Sequence, residues 1–223
     1  MTTEQTFAYS SIVDLFFNHG IIKVDSSFPF VLSSGSKAPV YLDHRRAFTN
    51  AQLRKQLVRA WAEVLETELK ELGYRVTDVV CVGTATAGIA PAMALASQWG
   101  CEFLYVRQKP KGHGLQQMIE GEFDHRKAHV VIDDMLTTGQ SLLKSVEVLK
   151  QCEARLILAS TVTSHAIPAA HRKFDDLNLR FKSLFETQSI LSIAQSLGLI
   201  SQSDLRIVMG WLEQFSSGFG SAE

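Results

Sequence analysis

Residues 130–141 read Val-Val-Ile-Asp-Asp-Met-Leu-Thr-Thr-Gly-Gln-Ser, an apolar run that meets two adjacent carboxylates and passes into a turn of small hydroxyl residues. Val130, Val131 and Ile132 are β-branched and show no polar alternation, the pattern of a central parallel strand buried on both faces. Asp133 and Asp134 stand where that strand is expected to end, and in an open α/β sheet the carboxyl ends of strands are where ligands bind. Thr137, Thr138, Gly139, Gln140 and Ser141 supply hydroxyls and closely spaced backbone N–H groups. They lead into a helical pattern at Leu142, Val146 and Leu149 whose N-terminus favours anions. Carboxylates beside a phosphate repel it, so the segment suits a ligand with hydroxyls at one end and phosphate at the other, as in a ribose 5-phosphate. Taken alone, it also reads as an acidic strand end followed by an N-capped helix. No Gly-Lys-Ser/Thr follows and G-x-G-x-x-G is missing, so it is neither a P-loop nor a dinucleotide fingerprint.

A second buried strand runs through small residues into a helix at Val82-Gly83-Thr84-Ala85-Thr86-Ala87-Gly88-Ile89. Little side chain stands between an anion and the main chain there, and Thr84 and Thr86 add hydroxyls, which suits a pyrophosphate. Between two strands, Arg107-Gln108-Lys109-Pro110-Lys111-Gly112-His113-Gly114 gathers three cations and an imidazole with helix-breaking residues. The stretch reads as a lid that brings positive charge to an anionic site.

Around these stretches the chain alternates strand and helix. A helix over Phe7 to His19 ends at Gly20, and a strand-and-turn region over 21–48 carries a hairpin pattern at Phe28, Phe30 and Leu32. Asn50 caps a long helix bearing Leu53, Leu57, Trp61, Leu65 and Leu69 on one face. Strands at 78–82, 102–106, 128–133, 155–162 and 179–185 then alternate with helices at 89–98, 139–152 and 166–173. Helices near 189–197 and 202–215 follow, and the tail after Phe215 reads as a frayed terminus. The expected class is α/β, a doubly wound, mostly parallel sheet flanked by helices, with a small N-terminal hood. One domain over 1–223 is expected, with the hood at roughly 1–48 and the core at 49–223.

The 223 residues suffice for one large core, and 22 Lys and Arg against 23 Asp and Glu give a formal charge of -1. No global basic field points to nucleic acid or to a membrane surface, so an anion site must be local. Cys81, Cys101 and Cys152 lack C-x-x-C spacing and sit among apolar neighbours, which argues for small core residues in a reducing cytosol and against structural zinc. No basic-then-apolar leader opens the chain, so a cytoplasmic location is expected. His44, His125, His129 and His171 lack a second ligand at metal spacing and read as surface residues.

The stretch at 130–141 closely resembles the signature of type I phosphoribosyltransferases, which bind phosphoribosyl pyrophosphate (PRPP). Three further stretches narrow the resemblance to the orotate phosphoribosyltransferase family. They are Phe30-x-Leu32-x-Ser34-Gly35-x-x-Ala38-Pro39-Val40-Tyr41-x-Asp43-x-Arg45, Thr86-Ala87-Gly88-Ile89, and Arg107-x-x-x-Lys111-x-His113-Gly114 with Ile119-Glu120-Gly121. The resemblance implies transfer of a phosphoribosyl group from PRPP to orotate with Mg²⁺, the metal being held mainly by substrate oxygens and water rather than by protein ligands. It implies catalytic roles for Lys111, His113, Asp133 and Asp134. PRPP contacts are implied for Thr84, Thr86, Ala87, Gly88, Arg107, Lys109, Thr137, Thr138, Gly139, Gln140 and Ser141. Nucleobase contacts are implied for Ser34, Tyr41 and Arg45, and His165 could hydrogen-bond the pyrimidine or simply be structural. A homodimer sharing the loop between subunits is implied, with neither nucleic acid nor membrane as partner.

The chain departs from many members at Gln108, where a lysine is common, at Ser33 and Ala38, and at Thr163-Ser164-His165, where Asp-Arg is common. Other readings are a phosphoribosyltransferase for another nucleobase, or a regulatory protein that senses PRPP.

Overall fold

The computed structural model describes residues 3–32, 35–109 and 118–220. Helix α1 (Thr3–Asn18) buries Ile12, Val13 and Phe16, while Phe7, which shares their helical spacing, is exposed. Gly20 ends the helix at φ +62°, where its own N–H reaches Phe17 O and that of Ile21 reaches Phe16 O. Two small antiparallel ladders follow. Strand β1 (Ile22–Val24) pairs with β4 (Val40–Leu42), and between them β2 (Phe30–Val31) pairs with β3 (Lys37–Ala38), the hairpin that the aromatic alternation predicts.

A 3-10 turn at His44–Phe48 leads to α2 (Ala51–Glu71). The Asn50 side chain accepts the Leu53 N–H at 2.9 Å, capping a helix whose stripe of Leu53, Leu57, Trp61, Leu65 and Leu69 is wholly buried. Strand β5 (Val79–Thr84), helix α3 (Ile89–Trp99), strand β6 (Glu102–Val106) and the short β7 (Ile119–Glu120) come next. Strand β8 (Ala128–Leu136), helix α4 (Gln140–Gln151), strand β9 (Arg155–Ser164), helix α5 (Pro168–Asp176) and strand β10 (Arg180–Glu186) complete the alternation. Helices α6 (Thr187–Ser196) and α7 (Gln202–Gly220) close the described chain.

The six-stranded sheet has the order β10-β9-β8-β5-β6-β7, parallel throughout except where β7 runs antiparallel to β6. Its side chains alternate between two cores. Val79, Cys81, Val130 and Ile132 pack with α1, α2, α3, α6 and α7 on one face, and Val80, Val82 and Val131 pack with α4 and α5 on the other. Continuous apolar strands are what a sheet covered on both faces requires. The buried Trp61 Nε1–H donates to Ser160 Oγ at 2.8 Å and ties α2 to β9.

Several boundaries differ from the sequence expectation, among them the start of α1 at Thr3 and the end of α5 at Asp176. Strand β8 continues past the acidic pair to Leu136 because Met135 and Leu136 pair with Thr163 and Ser164 of β9. The tail after Phe215 is not frayed at once; α7 continues to Gly220. All three cysteines are free, Cys81 buried and the other two half-buried, with Cys81 and Cys101 sulfurs 3.7 Å apart. No helix among the described residues is long and apolar enough to cross a membrane.

Candidate active site

The order reverses between β5 and β8: the chain leaves β5 towards β6 on one side and returns to β8 on the other. Ligands in such sheets sit outside the carboxyl ends at this switch point. Both small-residue turns lie there, side by side.

After β5, Gly88 folds back on its own strand, its N–H reaching Thr84 O at 2.8 Å. A Cβ on Gly88 would lie 2.4 Å from Ile132 O and 2.7 Å from Thr84 N, and one on Gly83 would lie 2.9 Å from Gly88 O. The glycines are therefore dictated by backbone-to-backbone packing between the turn and β8. The Ala85–Thr86 peptide is cis. Thr86 is exposed, Ala87 half-buried, and the Thr84 hydroxyl is buried with no hydrogen-bond partner among the described residues.

After β8, Gly139 takes φ +81° as the N-cap of α4, and Thr137 and Thr138 are half-buried ahead of it. Gln140 and Ser141 open the helix, exposed. Asp133 is only 3% exposed, and its Oδ1 accepts the Asp134 N–H at 2.9 Å. Burial, reinforced by the neighbouring Asp134 charge, pushes the Asp133 carboxyl up to about 8, while hydrogen bonds from Asp134 N–H and Ser141 oppose the rise. Burial also raises Asp134, and the Arg45 charge counters it. The 3-10 turn therefore brings Arg45 towards the acidic pair. Arg45 Nε donates to Asp43 Oδ1 at 2.7 Å, and Tyr41, stacked on Phe30 at 5.8 Å, adds its field to the same guanidinium.

The third stretch leaves β6 beside both turns. Arg107 Nη1 donates to Glu120 Oε1 at 2.8 Å and its N–H to Met118 O at 2.7 Å, so this cation is paired with β7 rather than free. Lys109 is exposed. Lys111, His113 and Ser34 lie outside the described residues.

His165 follows β9, and its Nδ1 lies 2.9 Å from Thr187 Oγ1. Trp211 and Phe215 meet the ring edge-on at 6.1 Å, and burial lowers the imidazole to about 4. It stands neutral between β9, α6 and α7, its contacts internal. The surface reading of the other histidines holds at His125 alone. His44 and His129 are fully buried, and His171 is half-buried, its Nε2 3.0 Å from Ser164 Oγ. Tertiary packing covers them: Phe16 of α1 lies 5.4 Å from the His44 ring, and His129 stands between Val80 of β5 and Leu156 of β9 with Phe123 5.5 Å from its ring.

Sequence reasoning passed over the role of Gln108. Its side-chain amide donates to Ala85 O and to Ser141 Oγ, and Lys144 Nζ donates to its backbone carbonyl. The signal was present in its place between two anion-binding stretches, but an uncharged residue in a basic run reads as a departure.

A family model described as "Phosphoribosyl transferase domain" matches residues 44–189, which hold both turns and the acidic pair. The orotate phosphoribosyltransferase of Fusobacterium nucleatum subsp. nucleatum is 33% identical over 190 residues, covering 85% of this chain and 87% of that protein. The orotate phosphoribosyltransferase of Lactococcus lactis subsp. cremoris is 29% identical over 192 residues, covering 86% and 89%. Among solved structures, the orotate phosphoribosyltransferase from Aeropyrum pernix superposes with a TM-score of 0.68 at 26% identity, over 85% of this chain and 99% of that one. With two small-residue turns and a buried acidic pair at the switch point of the shared sheet, the chain belongs to the orotate phosphoribosyltransferase family.

Proposed function

We propose that the protein transfers the 5-phosphoribosyl group of PRPP to orotate, giving orotidine 5′-monophosphate and pyrophosphate. The observation that carries this reading is the Asp133–Asp134 pair between two turns open to anions. In that arrangement Thr137–Ser141 bind the 5-phosphate, Thr84–Gly88 bind the pyrophosphate, and the acidic pair holds the ribose hydroxyls. As the bond to pyrophosphate breaks, positive charge develops on the ribose and negative charge on the leaving group. The carboxylates stabilise the first, and Arg107, Lys109, Lys111 and His113 meet the second. Arg107 must exchange Glu120 for the leaving group to do so.

Among the described residues no group of three or more His, Cys, Asp or Glu side chains could hold a metal ion. The acidic pair nevertheless offers oxygen donors of the kind Mg²⁺ takes when substrate oxygens and waters complete its shell. Bound there, Mg²⁺ would neutralise charge on the pyrophosphate. Arg45 lies within the field of Asp134, Tyr41 lies near Arg45, and in this reading the two bind the nucleobase and its carboxylate. A cytoplasmic homodimer in which residues 107–114 of one subunit serve the other's site completes the reading.

The test mixes protein, PRPP, Mg²⁺ and orotate and follows loss of orotate absorbance, with uracil, hypoxanthine and adenine in parallel. Turnover of orotate alone supports the assignment. PRPP binding without orotate turnover removes the base and keeps the phosphate half.

A further inference from the structure

We propose that Gln108 is a positioning residue that fixes the span between the pyrophosphate turn and the 5-phosphate turn. The proposal rests on PRPP being the ligand. The two turns belong to different strands and share no residue, yet Gln108 joins them: its Nε2 donates to Ala85 O in one and to Ser141 Oγ, at 3.3 Å, in the other. Its main chain is held as well, because Lys144 Nζ, from the second turn of α4, donates to Gln108 O at 2.9 Å. Ala85 N–H in turn donates to Val106 O at 2.9 Å, so the end of β6 is tied to both turns within three residues. Ser141 also hydrogen-bonds the Asp133 carboxyl, which connects the bridge to the acidic pair.

PRPP carries its phosphate and pyrophosphate at opposite ends of one ribose, so its affinity depends on the distance between the turns. Pyrophosphate alone, or ribose 5-phosphate alone, fills one turn and is indifferent to that distance. A residue that sets the span is thus separable from one that touches a phosphate.

The test compares wild type with Gln108→Met, which keeps length without a donor, and with Lys144→Met, which frees the Gln108 backbone. Both positions are exposed, so folding is not at stake. With Mg²⁺ present, KM for PRPP and kcat are measured, together with Kd for pyrophosphate and for ribose 5-phosphate. In Gln108→Met the KM for PRPP is expected to rise about tenfold, for two hydrogen bonds of ordinary worth, with kcat and both fragment affinities within about threefold of wild type. Lys144→Met is expected to shift the same KM in the same direction by less. An unchanged KM overturns the proposal. So does a loss of pyrophosphate affinity equal to the loss for PRPP, which makes Gln108 a direct ligand instead. Wild-type protein that binds neither PRPP nor its fragments removes the PRPP assignment, and this inference with it.

Discussion

Burial near the end of β8, reinforced by the charge of the adjacent Asp134, keeps the proton on the Asp133 carboxyl far above the usual carboxylate range. It titrates near 3.8 when exposed and at about 8 in the fold. Over that interval the folded chain binds a proton that the unfolded chain has released, so stability falls as pH rises. The thermal midpoint of the ligand-free protein is expected to drop between about pH 5 and about pH 8, and Asp133→Asn to drop less, as calorimetry would register. A slope unchanged by the substitution would mean that the charge lies elsewhere. The same variant, and Asp134→Asn, should lower kcat/KM for PRPP by about tenfold or more in steady-state assays, since each replaces a carboxyl oxygen proposed to hold the ribose hydroxyls with an amide nitrogen that cannot accept their hydrogen bonds.

At the scale of elements, the turn after β5 works because two backbones touch where no side chain fits. Gly88→Ala places a methyl against Ile132 O and Thr84, and should cost roughly 1–3 kcal/mol in denaturant unfolding while weakening PRPP binding. Lys111→Ala should lower kcat much more than it raises Kd for PRPP, because its charge is needed most as pyrophosphate departs; equal kcat in mutant and wild type would end that role. These elements were legible in the sequence because their signals are local. The run Val130–Ile132 has no polar break, and Gly83 and Gly88 punctuate an otherwise apolar stretch. What was not legible depends on distant partners. The extension of β8 to Leu136 comes from β9, Phe16 packs on His44 from α1, and His129 is flanked by Val80 of β5 and Leu156 of β9. The Gln108 bridge needs residues 23 and 33 positions away.

For the whole molecule, the sheet is a plane between two cores, and α2 is tied to it by more than apolar contact. Trp61→Phe removes the indole N–H that donates to Ser160 Oγ and leaves part of the indole's buried volume empty, and should destabilise the protein by about 1–3 kcal/mol in chemical denaturation. Turnover at low temperature should stay near the wild-type level, because the Trp61 hydrogen bond ends on Ser160 of β9 and on neither turn. The pairing of β7 with β6 has its own consequence. Val106 lies opposite Ile119, and the Arg107 N–H reaches Met118 O, so the chain leaves β6 and enters β7 on one hydrogen-bonded rung. The ladder therefore meets the cost of bringing the two ends together, a cost that grows only slowly with the length of chain between them. The β6–β7 pairing rests on residues at or beyond the ends of the 109–118 span, so substitutions within that span leave its anchor in place, and selection can vary them without moving it.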